Sequence, residues 1–228
     1  MADELTSYLY DHFKMTLTPS QKDAVEALHG PICVISCPGS GKTTVTVIRL
    51  ANLMVKGGVS PQQILALTFS KASAKDMNDR FKSLFPSLAN HVKFATIHSF
   101  AFHIIRHFEQ ISGTRYEFID TPNQMTHSKR QLLASIYLEK SERYLSDDEY
   151  ETITGQISLL KNLMIEPHQT KEIKKYVENE VELFIQVYKA YEQKKEANFF
   201  LDYDDLLTTA YQILIHRDEL RTFYQQRY

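Results

Sequence analysis

Only two cysteines, Cys33 and Cys37, occur in the 228 residues. They are too few for a disulfide framework or a thiolate metal site, and they point to a reducing, cytoplasmic setting. No apolar stretch approaches the ~20 residues needed to cross a bilayer, and no secretory leader is evident, so no membrane partner is expected. Charge of one sign is missing as well: 26 Lys and Arg against 28 Asp and Glu leave a formal net charge of −2. Bulk attraction to nucleic acid is thereby excluded, and any contact with it must come from a local patch. Repeats and low-complexity tracts are absent. What the chain does hold is apolar: 43% hydrophobic residues, with 13 Phe and 13 Tyr, suffice for one large or two modest domains.

The most informative segment runs from Ile32 to Thr43, an apolar run, then a loop with two glycines, then a Lys-Thr pair. The run Ile32–Ser36 reads as a buried strand, and the apolar spacing after Gly41 reads as a helix. Gly39 and Gly41 allow backbone angles closed to other residues, so successive N–H groups can converge on one phosphate. Pro38, Gly39, Ser40, Gly41 and Thr44 are the expected backbone contacts. Lys42 would set an ammonium against the β- and γ-phosphates of a nucleotide, and Thr43 would offer a hydroxyl to Mg²⁺. Position 36, a glycine in the strict phosphate-loop pattern, is Ser36 here.

Further along, Ile64–Phe69 and Val92–Thr96 are runs of strand length. Between the runs lie helical stretches carrying Val45, Ile48 and Val55, then Met77, Phe81 and Leu84. Strands alternating with helices predict an α/β fold with a parallel sheet covered on both faces. From about residue 121 to 197 the pattern turns helical. Ser146 with Glu149 forms a capping-box signature ahead of the stripe Ile153, Ile157, Leu160 and Met164. Val181, Phe184, Ile185, Tyr188 and Tyr191 make a second stripe, expected in the core.

Gln21 carries two readings. In Thr18-Pro19-Ser20-Gln21 it can reach back to cap a helix, a spelling echoed at Ser60-Pro61-Gln62-Gln63 and Thr121-Pro122-Asn123-Gln124. It also stands one short helix before the glycine loop, where a side-chain amide could read an adenine edge.

Five segments in order, Leu17–Gln21, Ser36–Thr43, Leu67–Ser70, Thr96–Phe100 and Leu201–Leu207, resemble the motifs of UvrD/Rep-type superfamily 1 DNA helicases. The resemblance covers residues 14 to 228 and implies a RecA-like P-loop NTPase domain with a mainly helical inserted subdomain. Expected divisions are 1–110 for the first part of the ATP-binding domain, 111–198 for the insertion and 199–228 for the return. It implies ATP and Mg²⁺ as cofactors, with Gln21 on adenine. It also implies single-stranded DNA and single-strand/duplex junctions as partners, met by Thr68, Phe69, Ser70, Lys71, Thr96 and His98. The remaining partner is the rest of a helicase chain, with its second RecA-like domain. From the pattern alone, Phe69 equally fits a strand-end core residue, His98 a helix start, and Asp202 with Asp204 a helix cap.

The chain departs from the family at Thr44, where an arginine is usual, and at Lys71-Ala72, where Asn-Lys is usual. Relatives carry a buried strand ending in Asp-Glu that supplies the catalytic carboxylates. This sequence reaches Tyr228 without it, so nucleotide binding without efficient hydrolysis is expected. Two other readings are a helicase-like subunit of a nuclease or repair complex, and a non-motor nucleotide-binding protein. The guanine-reading Asn-Lys-x-Asp pattern is missing, which disfavours a GTPase.

Overall fold

In the computed structural model, residues 2–88, 92–119 and 128–228 are described. The chain divides into two units, residues 1–100 with 221–228, and residues 101–220. Both are mostly helical, and each holds one small parallel sheet.

The first unit contains α1 (Ala2–Phe13), α2 (Pro19–Glu26), α3 (Lys42–Val55), β1 (Leu65–Thr68), α4 (Lys71–Leu84) and β2 (Lys93–Thr96). α2 begins with a complete capping box, in which Thr18 accepts from the Gln21 N–H and the Gln21 side chain accepts from the Thr18 N–H. Ser60 and Gln63 form the same box on a single 3₁₀ turn, whereas Thr121–Gln124 lies outside the described residues. β1 and β2 pair in parallel, Leu65 opposite Lys93 and Thr68 opposite Thr96, with α4 as the crossover. The core gathers Val47, Ile48 and Ala51 of α3 with Phe81 of α4 and Leu9 of α1. Each large aliphatic side chain among these contributes about 1.5–3 kcal/mol by leaving water. α3 is also fastened to α2 by polar contacts, Arg49 donating to the Ala24 carbonyl and buried Asn52 to the Val25 carbonyl.

The expected strand Ile32–Ser36 does not form, and neither does a sheet covered on both faces. Ile35 is 94% exposed and Ile32 and Val34 are also open to solvent. A strand needs a neighbour to take its N–H and C=O groups, and among the described residues none lies beside this run. An apolar sequence therefore has the composition of a buried strand without the pairing that would bury it.

The second unit holds most of α5 (Ile97–Ser112), followed by β3 (Glu117–Phe118), α6 (Lys129–Ser141) and α7 (Asp147–Asn162). After these come α8 (Thr170–Ile173), α9 (Val181–Asn198), β4 (Phe200–Leu201) and α10 (Asp205–His216). The last helix, α11 (Asp218–Arg227), spans the division between the units. β3 pairs with β4 in parallel, and the Glu117 and Ile119 N–H groups donate to the Phe199 and Leu201 carbonyls. Ser146 and Glu149 make the capping box that opens α7. Both helical stripes face one core, in which Ile157, Leu160, Val187 and Tyr191 are fully buried. Met164 is a correction: it lies beyond the end of α7 with φ of 55° and is 53% exposed. The helix has turned its chain away before that position is reached.

Candidate functional site

α3 begins at Lys42 with no side-chain cap and no acidic residue in its first turn. The N–H groups of its first turn have no helical acceptor, so the positive end of a 14-residue helix is open to an anion. Gly41 precedes it with φ of 85° and Gly39 sits at φ of 79°, both in the left-handed region. A Cβ at Gly39 would meet nothing within 4 Å, whereas one at Gly41 would stand 3.2 Å from Gln21 Nε2. The loop is thus open on one side and touched by Gln21 on the other.

Lys42 folds back over this loop. Its Nζ donates to the Ser36 carbonyl at 3.0 Å and to the Cys37 carbonyl at 2.8 Å. The Cys37 carbonyl also accepts from the Ser40 N–H and hydroxyl, which closes the Cys37–Ser40 turn containing Pro38. Among the described residues no carboxylate pairs with Lys42, and the Thr43 hydroxyl has no hydrogen-bond partner. Thr44 contributes its backbone to the first turn of α3. The Gln21 amide is occupied at both ends: Oε1 accepts from the Thr18 N–H at 3.0 Å, and Nε2 donates to the Ser40 carbonyl at 3.0 Å. Helix capping and contact with the loop are therefore served by one side chain.

A second set of residues stands at the carboxyl ends of β1 and β2. Phe69 is 94% exposed, which rules out the reading that placed it in the core. Its neighbours explain why the backbone is fixed there. The Thr68 hydroxyl donates to the Ser70 carbonyl, and the Ser70 hydroxyl caps α4 by accepting from the Ser73 N–H. Lys71, exposed, is the first residue of α4. Thr96 is buried and accepts from the Ser99 N–H at 3.1 Å, capping α5. His98 lies in the first turn of that helix, partly exposed. The parallel register sets Thr68 opposite Thr96, so the ring of Phe69 and the start of α5 follow from adjacent strand ends.

Asp202 does more than the capping expected of it, whereas Asp204, expected to cap as well, stands at the N-cap position of α10 without a side-chain cap bond. Asp202 accepts from the Asp205 N–H, and Asp205 from the Asp202 N–H, a reciprocal cap at the start of α10. The Asp202 carboxylate, fully buried, also accepts from Lys161 Nζ at 3.2 Å, Lys195 Nζ at 3.3 Å and Tyr191 Oη at 2.8 Å. Asp205 meets Lys161 at 2.5 Å and Lys195 at 2.8 Å, and Asp204 accepts from Lys129 and Ser158. Burial by itself would raise the Asp202 pKa, yet Lys195, Lys161 and Lys129 hold it well below the carboxylate range. Burial likewise opposes charge on Lys161, and Asp202, Asp205 and Glu192 overcome it to push that lysine upward. Asp205 goes the other way, raised by burial and by the Asp202 charge. This cluster unites α6, α7, α9 and α10, and none of its three lysines was singled out in the sequence. The signal is positional: Lys161 follows Ile157 by four residues and Lys195 follows Tyr191 by four, so each cation lies on a core-facing stripe.

Among the described residues, no three His, Cys, Asp or Glu side chains group as metal ligands. No helix among them is long and apolar enough to cross a membrane. For a hard cation, the Thr43 hydroxyl, in the first turn of α3, is an oxygen available at the loop. That suits magnesium, which keeps several waters and takes few protein ligands beside a phosphate.

Comparison with known proteins places these features in one frame. The sequence model of the UvrD/REP helicase N-terminal domain matches residues 17–228. The ATP-dependent DNA helicase PcrA of Bacillus subtilis (strain 168) is 30% identical over 226 residues, covering 97% of this chain and 29% of that protein. PcrA of Leuconostoc citreum is 30% identical over 214 residues, covering 91% of this chain and 27% of that protein. The chain thus spans less than a third of the length of these relatives.

Proposed function

Because this chain belongs to the UvrD/REP helicase N-terminal domain family, we propose that it is the ATP-binding part of a DNA helicase. That helicase would couple ATP hydrolysis to movement along single-stranded DNA, 3′ to 5′, and to duplex unwinding in repair or replication. The observation that carries the reading is the uncapped start of α3, with Gly39, Gly41 and Lys42 around it. Phosphate oxygens take the free N–H groups of Gly41 to Thr44, and Lys42 exchanges the Ser36 and Cys37 carbonyls for the β- and γ-phosphates. Thr43 would offer its hydroxyl to a magnesium ion, which would supply neutralisation of the phosphate charge there. Gln21 gives up one of its two present contacts to read adenine.

In this reading the α/β part is RecA-like, with residues 1–110 and 199–228 flanking a helical insertion at 111–198. Phe69 stacks on a base, contributing ~1–3 kcal/mol without regard to sequence. Thr68, Ser70, Lys71, Thr96 and His98 follow the strand's phosphates and bases, at single strands and junctions alike. The apolar run Ile32–Ser36 receives its strand neighbours from the rest of the helicase chain, whose second RecA-like domain completes the motor. The 228 residues hold nucleotide and hydrolyse it poorly, since among those described no carboxylate stands against Lys42 or Thr43 to position water.

Calorimetric titration with a non-cleavable ATP analogue and Mg²⁺ tests the loop. Lys42→Ala should weaken binding at least about tenfold, the scale of one lost charge-assisted phosphate contact. Equal binding by both proteins rejects the assignment. For DNA, Phe69→Ala should weaken single-strand binding with little change in salt slope, whereas Lys71→Ala should flatten that slope.

A further inference from the structure

The helical unit contains a cleft of about 210 Å³ between α6, α7 and the start of α9. Its floor is apolar, made by Ile153, Leu183, Phe184 and the ring of Tyr137. Its rim carries Asp148, Glu149 and Glu180. One cation stands among them: Arg143 bonds both Glu180 carboxylate oxygens, at 2.9 and 3.2 Å, and reaches the Tyr137 hydroxyl at 3.2 Å. The rim is left with an excess of negative charge, and the Asp148 carboxylate has no ion pair among the described residues. Glu149 accepts from Tyr137 and Ser146, bonds that hold its pKa down to about 2, so it stays ionised. Glu180 keeps its place with φ of 44°, a backbone conformation strained for a residue with a side chain.

An apolar floor under an anionic rim suits a side chain with an aliphatic stem and a cationic head. Arg143 already shows how a guanidinium meets this rim, bridging a carboxylate and a phenol. The same charge repels phosphate, which separates this face from any that grips nucleic acid. We propose that the cleft is a docking pocket for an arginine side chain of a partner protein, whose stem lies over Ile153 and Phe184 and whose guanidinium meets Asp148.

The test follows methyl NMR signals of Ile153 and Leu183 in the whole chain while the peptide Ac-Gly-Arg-Gly-NH₂ is added. Parallel titrations use its norleucine counterpart and spermidine. Saturable shifts with the arginine peptide are expected, together with weaker binding of both controls. Asp148→Asn should loosen the arginine peptide about two- to fivefold, the range for one exposed charge contact. Gln156→Lys, a cation added at the mouth, should abolish saturation. The proposal is overturned if these methyls do not respond, if either control binds as tightly as the arginine peptide, or if Asp148→Asn changes nothing.

Discussion

Lys42 in the first unit and Lys195 in the second both place an ammonium among oxygen atoms, under opposite conditions. Lys42 is exposed and bonded to two backbone carbonyls, neutral acceptors that an incoming anion can replace. Lys195 is 2% exposed and lies against Asp202, Asp205 and Glu192, whose charges it neutralises. The first arrangement can exchange partners because neither side is left as a bare buried charge. The second cannot, since a carboxylate stripped of its cation inside the protein has no water to turn to. One lysine suits ligand exchange and the other suits holding four helices in one arrangement.

The largest expected effect tests that contrast directly. Lys195→Met should destabilise the second unit by about 3–5 kcal/mol, the cost of an unpaired buried charge, in denaturant unfolding followed by circular dichroism. Lys42→Ala should stay within about 0.5 kcal/mol of the parent in the same measurement. If the two losses are equal, the division of roles fails. Tyr191→Phe removes a neutral donor from Asp202 and should cost about 1.5–3 kcal/mol, since the acceptor is charged. Gly41→Ala sets a Cβ beside Gln21 at a φ of 85° and should cost about 1–2 kcal/mol.

The smallest effect concerns pH. Asp202, depressed when folded, contributes stability that is complete above its unfolded pKa of about 3.9 and is lost as pH falls through the lower folded value. Lys161, raised when folded, contributes stability that is complete below about pH 10.4 and is lost as pH rises through its higher folded value. Asp205 has the opposite sign in acid, because its raised pKa makes protonation favour the folded state. Glu149 adds stability that disappears as pH falls toward about 2. Glu149→Gln should therefore lower stability at pH 7, where the ionised carboxylate's bonds are in force, and converge on the parent as pH falls toward about 2, so that acid unfolding becomes less steep; an unchanged acid limb would show that its bonds to Tyr137 and Ser146 do not differ from those in the unfolded chain.

Local features were the most legible in the sequence. Capping at Thr18 and Ser146 needs only residues three apart, and the stripes through Ile157 and Tyr188 need only helical spacing. The pairing of β1 with β2 followed from their alternation with α4. The run Ile32–Ser36 misled because burial of a strand is decided by its neighbours, which its own composition does not report. The lysine cluster was hidden for a related reason: a cation on a core-facing stripe declares itself only when the carboxylates that meet it are known, and Asp202 lies 41 residues from Lys161 and Asp204 75 from Lys129. Phe69 could not be assigned from pattern, since a strand end is equally able to face inward or outward.

The open hydrophobic stretch from Ile32 to Ile35 also has a practical side for anyone preparing this polypeptide. Backbone groups that lack a ladder, next to greasy side chains, are a template on which a second copy can settle, so the purified chain should self-associate as its concentration rises. Sedimentation velocity across a dilution series would register it, and Ile35→Lys should keep the molecule monomeric while leaving the helical half untouched.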